Sequence, residues 1–92
     1  MKDALGLYYF PDLSDRTTRM YVRNTASGEI EFRLWMESKP EVWERHPWTP
    51  YAAIKAAHDL YKQEHHEPHN NPLELYDLSL AKALIYAEEE SR

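Results

Sequence analysis

The chain predicts an α+β fold: a three-stranded antiparallel sheet followed by one short and two longer helices packed on one face. Three observations carry this. Residues 17–23 and 29–37 alternate polar and apolar side chains with a period of two, as half-buried strands do. From residue 38 onward, cap residues and prolines fall at helix-start spacing, and apolar positions recur every three to four residues. The two patterns do not interleave, and strands followed by helices pack as separate layers.

The 92 residues are read as one small domain spanning 1–92. At this length folding hides only about 60–65% of the chain's surface, so large side chains must supply the core. Three Trp, seven Tyr and two Phe are available for it, each able to bury a large area.

The first strand is expected over 4–10, "ALGLYYF", and Pro11 ends it. Leu5, Leu7 and Tyr9 share one of its faces and Ala4, Gly6, Tyr8 and Phe10 the other, so both faces are apolar. The second strand, 17–23, sets Thr18, Met20 and Val22 against Arg19, Tyr21 and Arg23. The third, 29–37, sets Ile30, Phe32, Leu34 and Met36 against Glu29, Glu31, Arg33, Trp35 and Glu37. Ala26-Ser27-Gly28 suits a three-residue hairpin loop with Gly28 in the left-handed position. That loop pairs Val22 with Phe32, Arg23 with Glu31 and Arg19 with Trp35.

The short helix is expected over 40–46, with Ser38 and Glu41 at capping-box spacing and Pro47 as its stop. A longer helix follows over 50–66, with Thr49 as cap and Pro50 in its first turn. Its apolar stripe is Ala53, Ile54, Ala57, Leu60 and Tyr61. Pro68 ends it. The last helix is expected over 78–90, capped by Asp77 with Tyr76 as a hydrophobic staple onto Ala81. Pro72 offers a second start, and a short turn is expected over 72–76.

Composition excludes several function classes. Without cysteine there is no disulfide, thiolate nucleophile or cysteine-based metal centre. Two glycines, Gly6 and Gly28, cannot build a phosphate-cradling loop, a dinucleotide fingerprint or a nucleophile elbow. The N-terminal stretch is too short and too acidic for a secretory signal, and no run approaches the ~20 apolar residues of a membrane span. A soluble, cytoplasmic protein without contact to membranes is expected.

Catalytic and metal sites find little support. Ser38, His58 and Asp59 do not converge, so no catalytic residues are assigned and the reading leans away from an enzyme. In the run "KQEHHEPHNNP", Pro68 separates His69 from the helix that carries His65 and His66. No metal or other cofactor is expected. His58 and His65, two turns apart on one flank, are the best imidazole pair the spacing allows.

Two binding surfaces remain. In a simple meander the first strand is an edge, and an edge apolar on both faces invites covering. Leu7, Tyr8 and Phe10, together with Trp48 and Tyr51 from the proline-flanked aromatic cluster, are therefore candidates for a protein interface. A homodimer through the first strand is the simplest form of it. The alternative is single-stranded nucleic acid on Arg19, Tyr21, Arg23, Arg33 and Trp35, where bases would stack on rings beside guanidiniums. Sixteen acidic against eleven basic residues, a net charge of −5, count against nucleic acid, as do the three Glu on that face.

The imidazole spacing carries a first prediction. Zinc titration should leave the NMR signals of His58 and His65 unmoved; a saturable shift of both would reveal a metal site.

Overall fold

The computed structural model describes residues 1–65 and 75–91, and for 61–65 the backbone alone. It contains β1 (Lys2–Asp3), β2 (Gly6–Tyr9), β3 (Thr18–Asn24), β4 (Ile30–Met36), α1 (Glu41–Arg45), β5 (Thr49–Pro50), α2 (Tyr51–His65) and α3 (Leu78–Glu90). The fold is α+β with an antiparallel sheet, but the sheet has five strands rather than three, in the chain order β1-β2-β3-β4-β5.

The central hairpin has the expected register, with Val22 opposite Phe32, Arg23 opposite Glu31 and Arg19 opposite Trp35. Its loop closes through the Gly28 N–H on the Thr25 carbonyl (2.9 Å) and the Thr25 N–H on the Glu29 carbonyl (2.8 Å). Gly28 takes φ +87°, a conformation that costs glycine nothing and a branched residue a great deal.

The two added strands are short and sit at the two edges. Ala4 and Leu5, expected in the first strand, form the turn between β1 and β2. Asp3 nucleates that turn by accepting the Leu5 N–H on Oδ1 at 2.8 Å, an Asx turn, and Gly6 follows at φ +132°. Lys2 then pairs with Leu7 and Asp3 with Gly6, and the Tyr8 N–H reaches the Met1 carbonyl at 2.9 Å. The first long strand is therefore not an edge. Its outer backbone groups are paired with the chain's own first residues, which removes the free edge from which a homodimer along it was expected.

At the other edge Thr49 and Pro50 pair with Phe32 and Glu31 as β5, a position where proline's missing N–H costs nothing. Thr49 thus does not cap the helix. Its hydroxyl donates to the Pro47 carbonyl at 2.9 Å, and α2 starts at Tyr51. The Ser38–Glu41 box does not form either: α1 begins after Pro40 with no side-chain cap. The Asp77 cap is in place, its side chain accepting from the Leu80 N–H at 2.9 Å. The alternative start at Pro72 and the turn over 72–76 fall largely outside the described residues.

The core comprises Tyr9, Met20, Val22, Phe32, Ala81 and Ile85, with Leu7, Leu34, Tyr51, Ile54 and Tyr76 packed around it. Tyr76 meets Phe32 edge-on at 5.5 Å between ring centroids. Rather than presenting its Ala/Leu stripe, α2 turns Tyr51, Ile54 and His58 inward. Ala53 and Ala57 are exposed and Leu60 is 60% exposed. The reason is phase: β5 runs straight into α2, so the sheet pairing of Thr49 and Pro50 sets which side of the helix meets Phe32.

Tyr9 joins the layers. Its hydroxyl donates to the Leu75 carbonyl at 2.6 Å and accepts the Asp77 N–H at 2.8 Å. Burial pushes its phenol up to about 12, so it stays a neutral donor. Tyr9→Phe keeps the ring and strands both backbone groups, which should cost about 1–2 kcal/mol in urea unfolding. An unchanged midpoint would show that the bridge adds nothing to the docking of α3.

Candidate protein-interaction surface

Alternation along β3 and β4 sends Arg19, Tyr21, Arg23, Arg33 and Trp35 to the face opposite α2 and α3. That face is not bare. Tyr21 is completely buried, covered by Trp43 of α1, which meets it edge-on at 5.3 Å between centroids, and by Tyr8, tilted against it at 5.3 Å. Helical segments therefore cover both faces of the sheet, in place of the expected single covered face. The chain reaches the second face because only four residues separate β4 from α1, which keeps that helix beside the sheet.

Trp43 is held by Arg33. The Arg33 guanidinium lies 3.9 Å from the centroid of the Trp43 ring, and its Nε donates to the Trp43 carbonyl at 3.0 Å. Trp48 packs edge-on against Trp43 at 6.1 Å, and the Arg23 guanidinium lies 4.4 Å from the Trp48 ring. Arg23 also pairs with Glu31 at 2.6 Å, across the hairpin.

The other half of the face centres on Arg19. Its guanidinium sits between two rings, 4.7 Å from Tyr8 and 4.8 Å from Trp35. It donates through Nη1 to Asp3 Oδ2 at 2.9 Å and to the Tyr21 hydroxyl at 3.3 Å. Tyr21 in turn donates to Asp3. Arg19 Nε is buried without a hydrogen-bond partner, so flanking rings compensate part of its charge. Phe10 extends the layer, edge-on to Tyr8 at 5.7 Å, with the Arg16 guanidinium 5.7 Å from its ring.

The electrostatics of this cluster are concerted. Burial raises the Asp3 carboxyl, but the Tyr21 hydroxyl, the Leu5 N–H and the Arg19 charge together outweigh it and hold Asp3 below its ordinary value. Burial, and then the hydrogen bond to Asp3, push the Tyr21 phenol up. The hydrogen bond to Tyr21 raises the Arg19 guanidinium further. Asp3 and Arg19 thus stay a charged pair, with Tyr21 a neutral donor between them.

Two groups of residues that the sequence kept separate meet here. Tyr8, Phe10 and Trp48 share the face with Arg19, Tyr21, Arg23, Arg33 and Trp35. Tyr21 is a correction, since a fully buried ring cannot stack on a ligand. Leu7 and Tyr51 lie on the other side: Leu7 packs against the core, and Tyr51 meets Phe32 at 6.0 Å. Asp3 and Arg16 belong to the face and were not singled out from sequence, and Trp43, a ring of the proline-flanked cluster read there as part of the core, packs on this face over Tyr21. The short connection from β4 to α1 was the available signal for Trp43.

His58 is half-buried on α2. Its Nδ1 lies 3.6 Å from Asp59 Oδ1 and has no hydrogen-bond partner. The His65 side chain lies outside the described residues. Among the described residues no three His, Asp or Glu side chains are grouped to hold a metal. None of the described helices is long and apolar enough to cross a membrane. No protein-family model matches the chain, and neither a curated protein nor a solved structure matches it.

Two predictions test this layer. Asp3 has its carboxyl held below the ordinary 3.8. A lowered folded value means that its contribution to stability is complete above the unfolded value and is lost as the pH falls toward the folded one. The advantage of the native chain over Asp3→Asn should therefore be constant near neutrality and shrink below about pH 4. A gap unchanged down to about pH 3 would show that the charge on Asp3 does not hold β1. Trp43→Ala uncovers Tyr21 and should cost about 2–4 kcal/mol in urea unfolding, against about 1 kcal/mol or less for Arg23→Ala. Equal costs would contradict the covering role of Trp43.

Proposed function

We propose that this chain is a non-enzymatic protein-binding domain and that a partner docks on its Arg–aromatic face. The observation that carries the reading is that Trp35, Trp43 and Trp48 remain half-exposed while guanidiniums hold all three rings in place. Trp and Arg dominate binding energy at protein interfaces, and side chains already ordered in the free protein lose less entropy on docking. Tyr8 and Phe10 widen the apolar part of the surface.

The charges suggest the partner's chemistry. Arg19 and Arg23 are paired with Asp3 and Glu31. Arg16 and Arg33 have no carboxylate within ion-pair distance among the described residues. A partner that lays apolar groups on the Trp rings and offers carboxylates to Arg16 and Arg33 complements the face. A second copy of this chain is one candidate, joined through the face rather than along β2. Single-stranded nucleic acid has less support, because Tyr21 is covered, two arginines are neutralised in place, and Glu29 and Glu37 flank β4.

The test compares the native chain with Arg23→Ala, Trp48→Ala and an Arg33→Glu variant, each first shown to keep its native unfolding midpoint within about 1 kcal/mol. A specific partner protein should be retained by the native chain and weakened at least about tenfold by the folded face variants. Retention by all of them would sink the proposed surface. Light scattering across micromolar concentrations identifies a second copy if the mass doubles and the face variants abolish it. Salt-dependent quenching of tryptophan fluorescence by oligonucleotides would instead favour nucleic acid.

A further inference from the structure

A second surface lies across α1 from Trp43. There the sheet and helices enclose a groove of about 300 Å³, with Phe32, Leu34 and Met36 along its floor and Val42, Ile54 and Tyr76 in its walls. Lys39 and His46 also line it, and among the described residues no Asp or Glu does. The backbone explains the placement of the two basic groups. The Val42 N–H bonds to the Lys39 carbonyl at 3.0 Å, and the His46 N–H bonds to the Val42 carbonyl at 3.0 Å. Lys39, Val42 and His46 are thus stacked one turn apart along one flank, while Trp43 leaves from the other.

The combination is specific for a chain with sixteen acidic residues against eleven basic ones. An apolar floor favours hydrocarbon, and a wall of one ammonium and one imidazole favours an anionic oxygen over a neutral one. Arg33 also lines the groove, but its guanidinium is engaged at Trp43 on the other face. The volume limits size: at about 30 Å³ for each water-sized group, it holds roughly ten heavy atoms.

We propose that this groove binds a small amphiphilic carboxylate, its hydrocarbon tail on Leu34, Ile54 and Tyr76 and its carboxylate at Lys39 and His46. The assignment is independent of the partner-binding face, because Phe32, Leu34 and Met36 point to the opposite side of β4 from Arg33 and Trp35, although α1 and the 47–49 segment around Trp48 border both surfaces. It gives the domain a ligand site on one side and a docking surface on the other.

Octanoate, with about ten heavy atoms, matches the volume and is the probe. The methyl NMR signals of Leu34, Val42 and Ile54 should shift saturably with octanoate. 1-Octanol, with the same tail and no charge, should bind about three- to fivefold more weakly, and Lys39→Glu should weaken octanoate by at least that factor. Lys39 is exposed, so the substitution leaves the core intact. Arg23→Ala should bind octanoate like the native chain, which separates this site from the docking face. Equal affinity for octanol and octanoate, or the absence of saturable shifts, would overturn the proposal. Shifts of the same methyls on simple dilution without octanoate would assign the groove to a second copy and overturn it as well.

Discussion

Three consecutive residues of β3 impose the architecture. Met20, Tyr21 and Val22 are 0%, 0% and 1% exposed, although neighbouring side chains on a strand point to opposite faces. A strand buried over such a run must be covered on both sides. On one side α3 crosses it and brings Ala81 and Ile85 onto Met20 and Val22. On the other there is no long helix among the described residues, and the chain covers Tyr21 with single large side chains. In a domain with little core to spare, that layer determines which surface is left for other molecules.

The second layer is built from arginine as much as from aromatic rings. A guanidinium is planar and only weakly hydrated, so it can lie on a ring and still direct its N–H groups at acceptors in its own plane. Arg33 does both with one residue, stacking on the Trp43 ring and bonding to the Trp43 carbonyl. Arg19 does so with three, between Tyr8 and Trp35 and onto Asp3. The result is a covering layer that stays partly wet, since a guanidinium edge keeps its contact with water while its face is buried. Such a layer closes the sheet while leaving its Trp rings half-exposed.

The short helix α1 separates the two surfaces described above. One turn of helix sends Trp43 toward Tyr21 and Val42 with His46 toward the groove. Its position beside β4, fixed by the brief connection, gives five residues contact with both sides of the sheet. The apolar residues left outside, Leu60 among them, lie on a helix whose rotation is set by the pairing of Thr49 and Pro50, so the apolar pattern of α2 alone did not reveal its buried side.

Local rules governed what the amino-acid sequence determined by itself. The period of two in β3 and β4, the Gly28 turn and the Asp77 cap each depend on neighbours a few residues away, so the hairpin register and the onset of α3 were legible. The charges and rings of the Arg–aromatic face were legible as residue types on one side of a hairpin. The tertiary structure decided what covers what. The edge strand β1 exists because Asp3 and Gly6 turn the chain back onto β2, and β5 exists because β4 offered a free edge to Thr49 and Pro50. Two-residue strands leave no periodic trace. The burial of Tyr21 under Trp43 joins residues more than twenty positions apart, and no local pattern encodes such a contact, because its energy appears only when the layers meet.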